Sequence, residues 1–414
     1  MNAYLYINSC TDVFLFLYNG NMLKNILKFM LSVFTAVCLL SVRTVSLHAD
    51  DSILAGITSE YAYVVDYETG QVLAEKNADT KMYPASMTKI MTAILAIENL
   101  NNLDDKITIT SEMLSGLAEM NASVAGFQVN DEPTVRDLLY GLALPSGADA
   151  ANALAITVSG SLSSFVEMMN QKAASLGMNG THFTNVTGLH DDDHYSTAKD
   201  IATLLKYAIA DSTFAEVFSA RSYTTSPLAS TSEGITLTSS TFKGITAGGY
   251  QLDELIGSKT GYTDIAGYCL AAWSQVNDMH VITVTAHADS ASSTSHIADL
   301  ASIMAILRTY KKNTVTSKDT AVKNIVMDSI FYQTTHFVYV PDEIVLDTPS
   351  ADTVTYQTDL PDEIDLTNED QELSFTLTIL INGSVYKQMP FTCTIPKDSD
   401  LIARLLRSVK NMFQ

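Results

Sequence analysis

The chain has 414 residues, of which 47% are hydrophobic, and a formal net charge of −22 at pH 7. Its length is enough for two domains with a sizeable core, and its hydrophobic content excludes an intrinsically disordered protein. The acidic balance argues against a nucleic-acid partner, because phosphate binding requires a basic surface. An acidic protein of this kind suits the outside of a cell.

Residues 1–49 have the layout of a secretory signal peptide. Two lysines precede the apolar run 29–42, and the segment ends with small residues near Ala49. We expect cleavage after Ala49 and therefore an exported protein. An uncleaved anchor is the alternative, although the run is short for a membrane span of about 20 residues.

The first predicted domain covers residues 50–312. It opens with two strands around a glycine turn, 61–67 and 71–74, and a helix that is apolar on nearly every face follows from Met87. Predicted helices then cover 135–144, 150–158, 163–176 and 197–210. Predicted strands cover 256–262, 268–274 and 279–285, before a last helix over 295–310. Strands at both ends of the segment predict one antiparallel sheet flanked by helices, with a helical insertion, which is an α/β (α+β) fold.

A polar linker is expected over 311–319, and a small β-sandwich domain over 320–398. Its clearest element is a hairpin of strands 375–381 and 384–394 around an Asn-Gly turn. The odd-numbered residues from Val385 to Ile395 would share one face and place Cys393 inside. We expect Cys269 and Cys393 to be buried and apolar in character, with a disulfide between them as the alternative.

Residues 399–414 predict an amphipathic helix. Apolar residues from Leu401 to Phe413 share one side, whereas Arg404, Arg407 and Lys410 lie largely elsewhere. A short basic helix on an acidic protein is typical of a membrane interface with anionic lipid. The alternative is a helix that caps its own domain.

Ser86 and Lys89 form a Ser-x-x-Lys motif at the entrance of the buried helix. A lysine three residues after a serine lies one turn away on the same side of a helix, so its amine can reach the serine oxygen. Burial would lower the pKa of this lysine and let it act as a base near neutral pH. Alone the motif is weak evidence, because an N-cap serine with an unrelated lysine gives the same pattern.

Two further motifs follow in order, Ser-Gly-Ala at 146–148 and Lys-Thr-Gly at 259–261. The three together resemble the signature of the serine penicillin-recognising enzymes. Wider similarity over about residues 55–312 resembles the low-molecular-mass penicillin-binding proteins of peptidase family S11, which are serine-type D-alanyl-D-alanine carboxypeptidases. The segments that carry it are 82–89, 137–142, 176–183, 188–190 and 259–264.

The resemblance implies that Ser86 attacks the carbonyl between the two terminal D-alanines of a peptidoglycan stem peptide. Lys89 would take the proton of Ser86, and Ser146 would help pass it to the leaving D-alanine. The backbone N–H groups of Ser86 and Tyr262 would hold the developing oxyanion. β-Lactams would acylate the same serine.

Substrate binding is implied for the residues of the late strand. Lys259 and Thr260, followed by Gly261, would meet the terminal carboxylate. The family also carries a C-terminal β-domain and a membrane-associated amphipathic helix. The resemblance therefore implies an extracytoplasmic enzyme of the cell wall, at the outer face of the cytoplasmic membrane, with no cofactor and no metal.

Two positions depart from the family pattern. Ala148 stands where the second motif usually ends in Asn, so a hydrogen bond to the substrate amide is lost unless a neighbour such as Asn152 compensates. His296 stands where the family usually has an Arg for the substrate carboxylate, which would make that contact weaker or dependent on pH. Slower turnover is the expected consequence of Ala148 if no neighbour compensates.

Three other functions fit parts of the sequence. A class A β-lactamase needs a Glu that activates the deacylating water, and Glu167 is the nearest candidate. A metal peptidase is indicated only by His190 and His194, which flank three aspartates. A penicillin-binding cell-wall protein that acylates without turnover is the non-enzyme alternative, because Ala148 replaces the usual Asn.

Overall fold

The computed structural model describes residues 52–412, so the predicted signal segment lies outside the described residues. A five-stranded antiparallel sheet forms the centre of the first part of the chain. In spatial order its strands are β2 (Val72–Lys76), β1 (Tyr61–Asp66), β7 (Met279–Ala288), β6 (Gly267–Val276) and β5 (Leu255–Thr263). The predicted pairing of the first hairpin with the late strands is confirmed, and β5 lies at the edge of the sheet.

Helices cover both faces of this sheet. They are α1 (Lys89–Asn99), α2 (Val135–Ala143), α3 (Ala148–Ser159), α4 (Leu162–Ser175), α5 (Ala198–Ile209), α6 (Ser212–Ser219), α7 (Ser240–Gly248) and α8 (Ser295–Leu307). Neither α6 nor α7 is indicated by the sequence pattern, because both are short and rich in Ser and Thr, which favour turns. A two-stranded ribbon, β3 (Ser222–Thr224) and β4 (Thr236–Thr238), lies between them in the chain.

Both faces of the sheet are buried because successive side chains on a strand point to opposite sides. Tyr63 and Val65 belong to the large apolar cluster shared with α1 to α6. Val64 belongs to the second cluster, on the face that α8 covers with Leu300 and Ile303. Helix α1 is buried along its first eight residues, 89–96, which confirms the prediction of a helix packed inside the domain.

The C-terminal part is a small β-sandwich. One three-stranded sheet contains β10 (Gln333–Val338), β9 (Lys323–Asp328) and β13 (Glu363–Asp365), and the other contains β12 (Val354–Thr358), β14 (Gln371–Ile381) and β15 (Ser384–Ile395). Apolar side chains from both sheets, such as Ile325, Leu377 and Ile395, fill the space between them.

The prediction of a polar linker over 311–319 is wrong for its first part. Residues Tyr310–Thr316 form β8, which pairs with β11 (Ile344–Pro349). Gln71, in the turn before β2, joins this ribbon through its side-chain amide, which exchanges hydrogen bonds of 2.8 and 2.7 Å with the backbone of Asp347. A polar segment can thus be ordered by pairing that composition does not reveal.

The register of the last hairpin differs from the prediction at its start. A bulge near Ile379 and Leu380 shifts the pairing, so Val385 is exposed instead of facing the core. From Met389 onwards the predicted alternation holds. Cys393 is half-buried against the sandwich core, Cys269 is fully buried, and both are free thiols, so the alternative of a disulfide is wrong.

A final helix, α9 (Leu401–Met412), follows the sandwich. It contacts the domain through buried Ala403 and through Arg407, whose guanidinium lies 2.7 Å from the carboxylate of Asp398. Five larger apolar side chains of α9 are exposed, namely Leu401, Ile402, Leu405, Leu406 and Val409. Within residues 52–412 no helix is both long and apolar enough to cross a bilayer.

Asp299 on α8 ties the start of the described chain to the back of the sheet. Its buried carboxylate accepts hydrogen bonds from the backbone N–H groups of Thr58 and Ser59, both 2.9 Å long, and from the hydroxyl of Ser59 at 2.6 Å. We predict that Asp299→Ala lowers the free energy of unfolding by about 3 kcal/mol, because it leaves several buried donors unpaired. Urea unfolding measures this loss.

Asp278→Ala is the matched control, since Asp278 is exposed in the turn between β6 and β7. Its effect should stay within about 0.5 kcal/mol. Equal stability losses in the two variants would contradict the role assigned to Asp299.

Candidate active site

Ser86 lies in a short 3-10 turn, Ala85–Thr88, that leads directly into α1. The Nζ atom of Lys89 is 3.0 Å from the Oγ atom of Ser86, as the Ser-x-x-Lys spacing predicts. A second hydrogen bond of 2.6 Å runs from Nζ to the carbonyl oxygen of Thr187. Ala85 has a φ of +46°, an unusual backbone conformation for a residue with a Cβ atom, and such strain concentrates at functional sites.

Burial tunes the amine of Lys89. The side chain is 3% exposed, and loss of solvation lowers its pKa to about 7, although the negative charge of Asp149 acts in the opposite direction. A substantial fraction of the amine is therefore neutral at physiological pH, and only the neutral form can accept a proton.

Ser146 and Lys259 form a second pair. Their Oγ and Nζ atoms are 2.9 Å apart, and Nζ also donates to the carbonyl oxygen of Thr260 at 2.8 Å. Ser146 is another residue with a Cβ atom in the left-handed region, at φ +66°, just before α3. Burial, followed by the positive charge of Lys89, holds the pKa of Lys259 well below its usual range.

The edge strand β5 lies against the turn that carries Ser86. A Cβ atom added to Gly261 would be 2.9 Å from the backbone nitrogen of Ser86, so a glycine is needed for this close approach. An edge strand directs every second backbone N–H away from its sheet. Both N–H groups expected to hold an oxyanion, those of Ser86 and Tyr262, thus belong to segments in direct contact.

Thr260 on β5 shares a hydrogen bond with Ser240 at the start of α7, with 2.8 Å between the hydroxyl oxygens. Ser240 is a site residue that the sequence motifs do not indicate. Its position depends on α7, a helix without a clear sequence signal. The pair places the hydroxyl group of Ser240 beside that of Thr260 in the Lys-Thr-Gly motif.

The loop over residues 184–189 completes one wall of the site. The side-chain oxygen of Asn185 accepts hydrogen bonds from the backbone of Thr187 at 3.1 Å and of Gly188 at 2.7 Å, which fixes the loop around the carbonyl that Lys89 contacts. Gly188 has a φ of +82°, and a Cβ atom there would be 1.9 Å from the carbonyl oxygen of Ala85. The loop can therefore press against the Ser86 turn only if this residue is glycine.

Ala148, where the family pattern has Asn, is the first residue of α3 and is buried. The side-chain amide of Asn152, one turn later, donates to the carbonyl oxygen of Met113 at 3.0 Å, so this donor is already engaged. The neighbouring carboxylate of Asp149 accepts from the backbone N–H groups of residues 125–127 at 2.8 to 3.1 Å. Asp149 therefore holds the loop before α2 against the second motif.

His296 lies at the start of α8 and is 5% exposed. Its ring stacks on Tyr268, with centroids 5.2 Å apart, and Tyr268 in turn contacts Tyr262 at 4.5 Å. Burial lowers the pKa of His296 to about 4, with Asp299 acting in the opposite direction, so the ring is neutral at physiological pH. It cannot supply the positive charge of the usual Arg at pH 7.

The residues of the alternative functions are not arranged for those functions. Glu167 is exposed on α4. His194 uses Nε2 with the hydroxyl of Thr88 and Nδ1 with the backbone N–H of Thr184, at 2.7 and 3.1 Å, which leaves neither nitrogen for a metal. Among residues 52–412, no group of three or more His, Cys, Asp or Glu side chains could hold a metal ion.

A cleft of about 450 Å³ opens beside the loop over residues 184–189. Thr187 belongs to its lining, but Ser86, Lys89 and Lys259 do not. Asn152 and Asn185 provide further polar groups, and exposed His190 and Asp191 lie at its edge.

The sequence pattern of the D-alanyl-D-alanine carboxypeptidase family, peptidase family S11, matches residues 47–290. The chain is 35% identical over 230 residues to D-alanyl-D-alanine carboxypeptidase DacF of Bacillus subtilis, covering 54% of this chain and 56% of the relative. It is 39% identical over 216 residues to the D-alanyl-D-alanine carboxypeptidase of Streptomyces sp. strain K15, covering 50% and 73%. The chain thus spans just over half the length of the Bacillus relative.

Solved structures agree with this similarity. The Streptomyces K15 DD-transpeptidase is 34% identical, with a TM-score of 0.55 over 60% of this chain and 96% of that one. The D-alanyl-D-alanine carboxypeptidase DacD from Francisella tularensis has a TM-score of 0.66 over 83% of this chain and 94% of its own; at 21% identity it shows the fold alone. Because the family pattern matches more than half of the chain, the chain belongs to the D-alanyl-D-alanine carboxypeptidase family, peptidase family S11.

Proposed function

We propose that the protein is a serine-type D-alanyl-D-alanine carboxypeptidase that removes the terminal D-alanine from peptidoglycan stem pentapeptides. One observation carries this proposal: the Nζ atom of Lys89, buried and with a pKa of about 7, lies 3.0 Å from the Oγ atom of Ser86. A nucleophile with an adjacent base of matched pKa is the arrangement that acyl transfer requires. Family membership and the names of the relatives support the same substrate class.

In the first step, the Oγ atom of Ser86 attacks the carbonyl carbon between the two terminal D-alanines while neutral Lys89 takes its proton. The backbone N–H groups of Ser86 and Tyr262 stabilise the oxyanion, and each such donor contributes about 3 kcal/mol to lowering the barrier. The C–N bond then breaks, and the proton returns through Ser146 to the leaving amine. An ester on Ser86 remains, and water hydrolyses it to release the shortened peptide.

The free carboxylate of the substrate would bind Lys259 and Thr260, close to the Ser240 hydroxyl. Burial disfavours the charged form of Lys259, but a carboxylate beside it favours that form, so substrate binding promotes protonation of this lysine. His296 contributes ring stacking on Tyr268 rather than charge. Recognition of the terminal carboxylate would therefore depend chiefly on Lys259.

A second candidate function is a penicillin-binding cell-wall protein that acylates but turns over poorly. Ala148 favours it, because its methyl side chain cannot hydrogen-bond the substrate amide, and Asn152 already donates to the carbonyl oxygen of Met113. The two candidates predict the same acylation of Ser86 by β-lactams. They differ in whether D-alanine is released repeatedly.

We further propose that residues 50–312 form the peptidase domain, that 320–398 form the β-sandwich domain, and that α9 attaches the protein to the outer face of the cytoplasmic membrane. Exposed Lys410 would face anionic headgroups while the exposed apolar side chains of α9 enter the interface, whereas Arg407 is held by Asp398. Two further exposed apolar residues, Ile330 and Phe331, lie in the turn before β10. The flanking Ser329 and Tyr332 donate to the carboxylate of Asp398, which lies three residues before the start of α9.

The nucleophile is tested with a stem pentapeptide. Ser86→Ala should lower D-alanine release by at least about a thousandfold, because no ester can form. Ser175→Ala, which removes an exposed hydroxyl on α4, should release D-alanine at the wild-type rate. Release by wild type that exceeds one equivalent supports turnover, a single equivalent or less supports the acylating alternative, and equal release from Ser86→Ala rules out this nucleophile.

The base is tested by pH. A pKa of about 7 means that Lys89 loses its proton-accepting form as the pH falls through 7. The second-order rate constant for acylation of Ser86 by a fluorescent penicillin should therefore fall about tenfold for each pH unit below 7 and level off above it. A profile that is flat between pH 5.5 and 8 would show that Lys89 is not the base.

The membrane contact is tested by sedimentation with vesicles of phosphatidylglycerol and phosphatidylcholine. Leu405→Glu should lower the partition coefficient by at least about tenfold, because it removes apolar burial and adds a charge repelled by the lipid. Val385→Glu, at an equally exposed position on β15, is the control and should bind like wild type. Binding that does not respond to Leu405→Glu would place the contact elsewhere.

A further inference from the structure

His194 is a buried titratable residue that the proposed mechanism does not use. It is 2% exposed and stands 106 positions after Thr88, which it nevertheless contacts through its Nε2 atom at 2.7 Å. Thr88 is itself fully buried and lies between Ser86 and Lys89 in the chain. The ring therefore lies directly behind the turn that carries the nucleophile.

The hydrogen bonds define one tautomer of this ring. The backbone N–H of Thr184 points at Nδ1 from 3.1 Å, so Nδ1 must be the acceptor and carry no proton. Nε2 then carries the proton and donates it to the hydroxyl oxygen of Thr88. Burial lowers the pKa of His194 to about 4, with Asp191 acting in the opposite direction, so this neutral form persists at physiological pH.

Three residues where the Ser86 turn meets the first turn of α1 make hydrogen bonds to one short segment. Thr88 reaches Thr184 through the His194 ring, the Thr92 hydroxyl donates to the carbonyl oxygen of Val186 at 2.7 Å, and Lys89 donates to that of Thr187. The bridge through His194 is the one that joins the Ser86 turn to the beginning of the segment. Loss of the bridge would leave the segment 184–188 without this contact at its first residue, Thr184.

We propose that His194 is a positioning residue for acyl transfer: its ring joins Thr88 to Thr184 and so holds the wall of residues 184–188 over Lys89. The inference rests on the proposed function of Ser86 and Lys89. It assigns to a residue outside the three motifs the task of keeping water from the base. Without the bridge, Lys89 becomes better solvated and its amine is held less firmly beside Ser86.

Charged and titratable groups around the two side chains are few. Asp191, His182, His190 and Lys89 act on the pKa of His194, while Asp149 and Lys259 lie near Lys89. The proposed bridge is made by neutral hydrogen bonds, so its loss adds no charge to the site. Any shift in the titration of Lys89 then reports a change in burial.

The test compares His194→Asn with His194→Gln. The Asn amide can accept from Thr184 but is too short to reach Thr88, whereas the Gln amide nitrogen matches Nε2 and keeps the donor to Thr88. We expect His194→Asn to lower the rate constant for acylation by a fluorescent penicillin about tenfold to a hundredfold, after normalisation to the concentration of active sites. The acid limb of its pH profile, which is the part where the acylation rate falls with falling pH, should move to higher pH. The reason is that better solvation of Lys89 raises its pKa.

Thr88→Val removes the other end of the bridge and should give the same fall and the same shift. Combining it with His194→Asn should cause no further loss, since both changes break one bridge. His194→Gln and Thr88→Ser should recover most of the wild-type rate. His182→Asn, at an exposed histidine in the same region, should leave both the rate and the limb unchanged.

A purely structural histidine predicts lower melting temperatures with an unmoved acid limb, or losses that multiply in the double variant, and either result would overturn the proposal. Should His194→Asn fail to fold, the limb of Thr88→Val decides alone. Acylation by penicillin is the readout, so failure of the proposed carboxypeptidase activity would appear separately, as absent D-alanine release from a wild type that acylates normally.

Discussion

The burial of two lysine amines in one small volume is the constraint on which the site depends. Lys89 and Lys259 are 3% and 2% exposed, and each hydrogen-bonds a serine hydroxyl and a backbone carbonyl. Two ammonium groups in such surroundings are costly, since burial penalises charge and like charges repel. Their pKa values fall as a result. The basicity of Lys89 near neutral pH is thus a product of packing. Contacts that exclude water from its amine therefore also set its ability to accept a proton.

Backbone geometry that costs free energy makes this packing possible. Ala85 and Ser146 have positive φ angles although each carries a Cβ atom, and Gly188 and Gly261 lie where a side chain would collide with the Ser86 turn. Strain of this kind persists only when surrounding contacts fix the conformation. Helix α1, buried along most of its length, and the edge strand β5 supply those contacts. The nucleophile is therefore held between rigid elements, which limits the loss of order needed to reach the transition state.

Local patterns predicted much of this arrangement. The apolar run after Ser86 predicts α1 and the contact between Ser86 and Lys89, because both follow from helical spacing. Contacts between distant segments could not be predicted in this way: the approach of Gly188 to Ala85, the pairing of Ser240 with Thr260 and the strand at 310–316 all depend on tertiary packing. His296 shows the same limit, since its position in the sequence indicates a carboxylate contact but only its burial under Tyr268 shows that the ring is neutral.

A neutral His296, where the resemblance implies an Arg, would change how the proposed substrate carboxylate is recognised. A fixed guanidinium keeps its charge at every physiological pH, whereas the charge of buried Lys259 depends on the anion that binds beside it. Binding and proton uptake are then linked, so a ligand without a carboxylate would not stabilise the charged form of Lys259 and would bind more weakly. Selectivity for a free C-terminus would arise from this linkage, with the neutral stack of His296, Tyr268 and Tyr262 shaping the same side of the site.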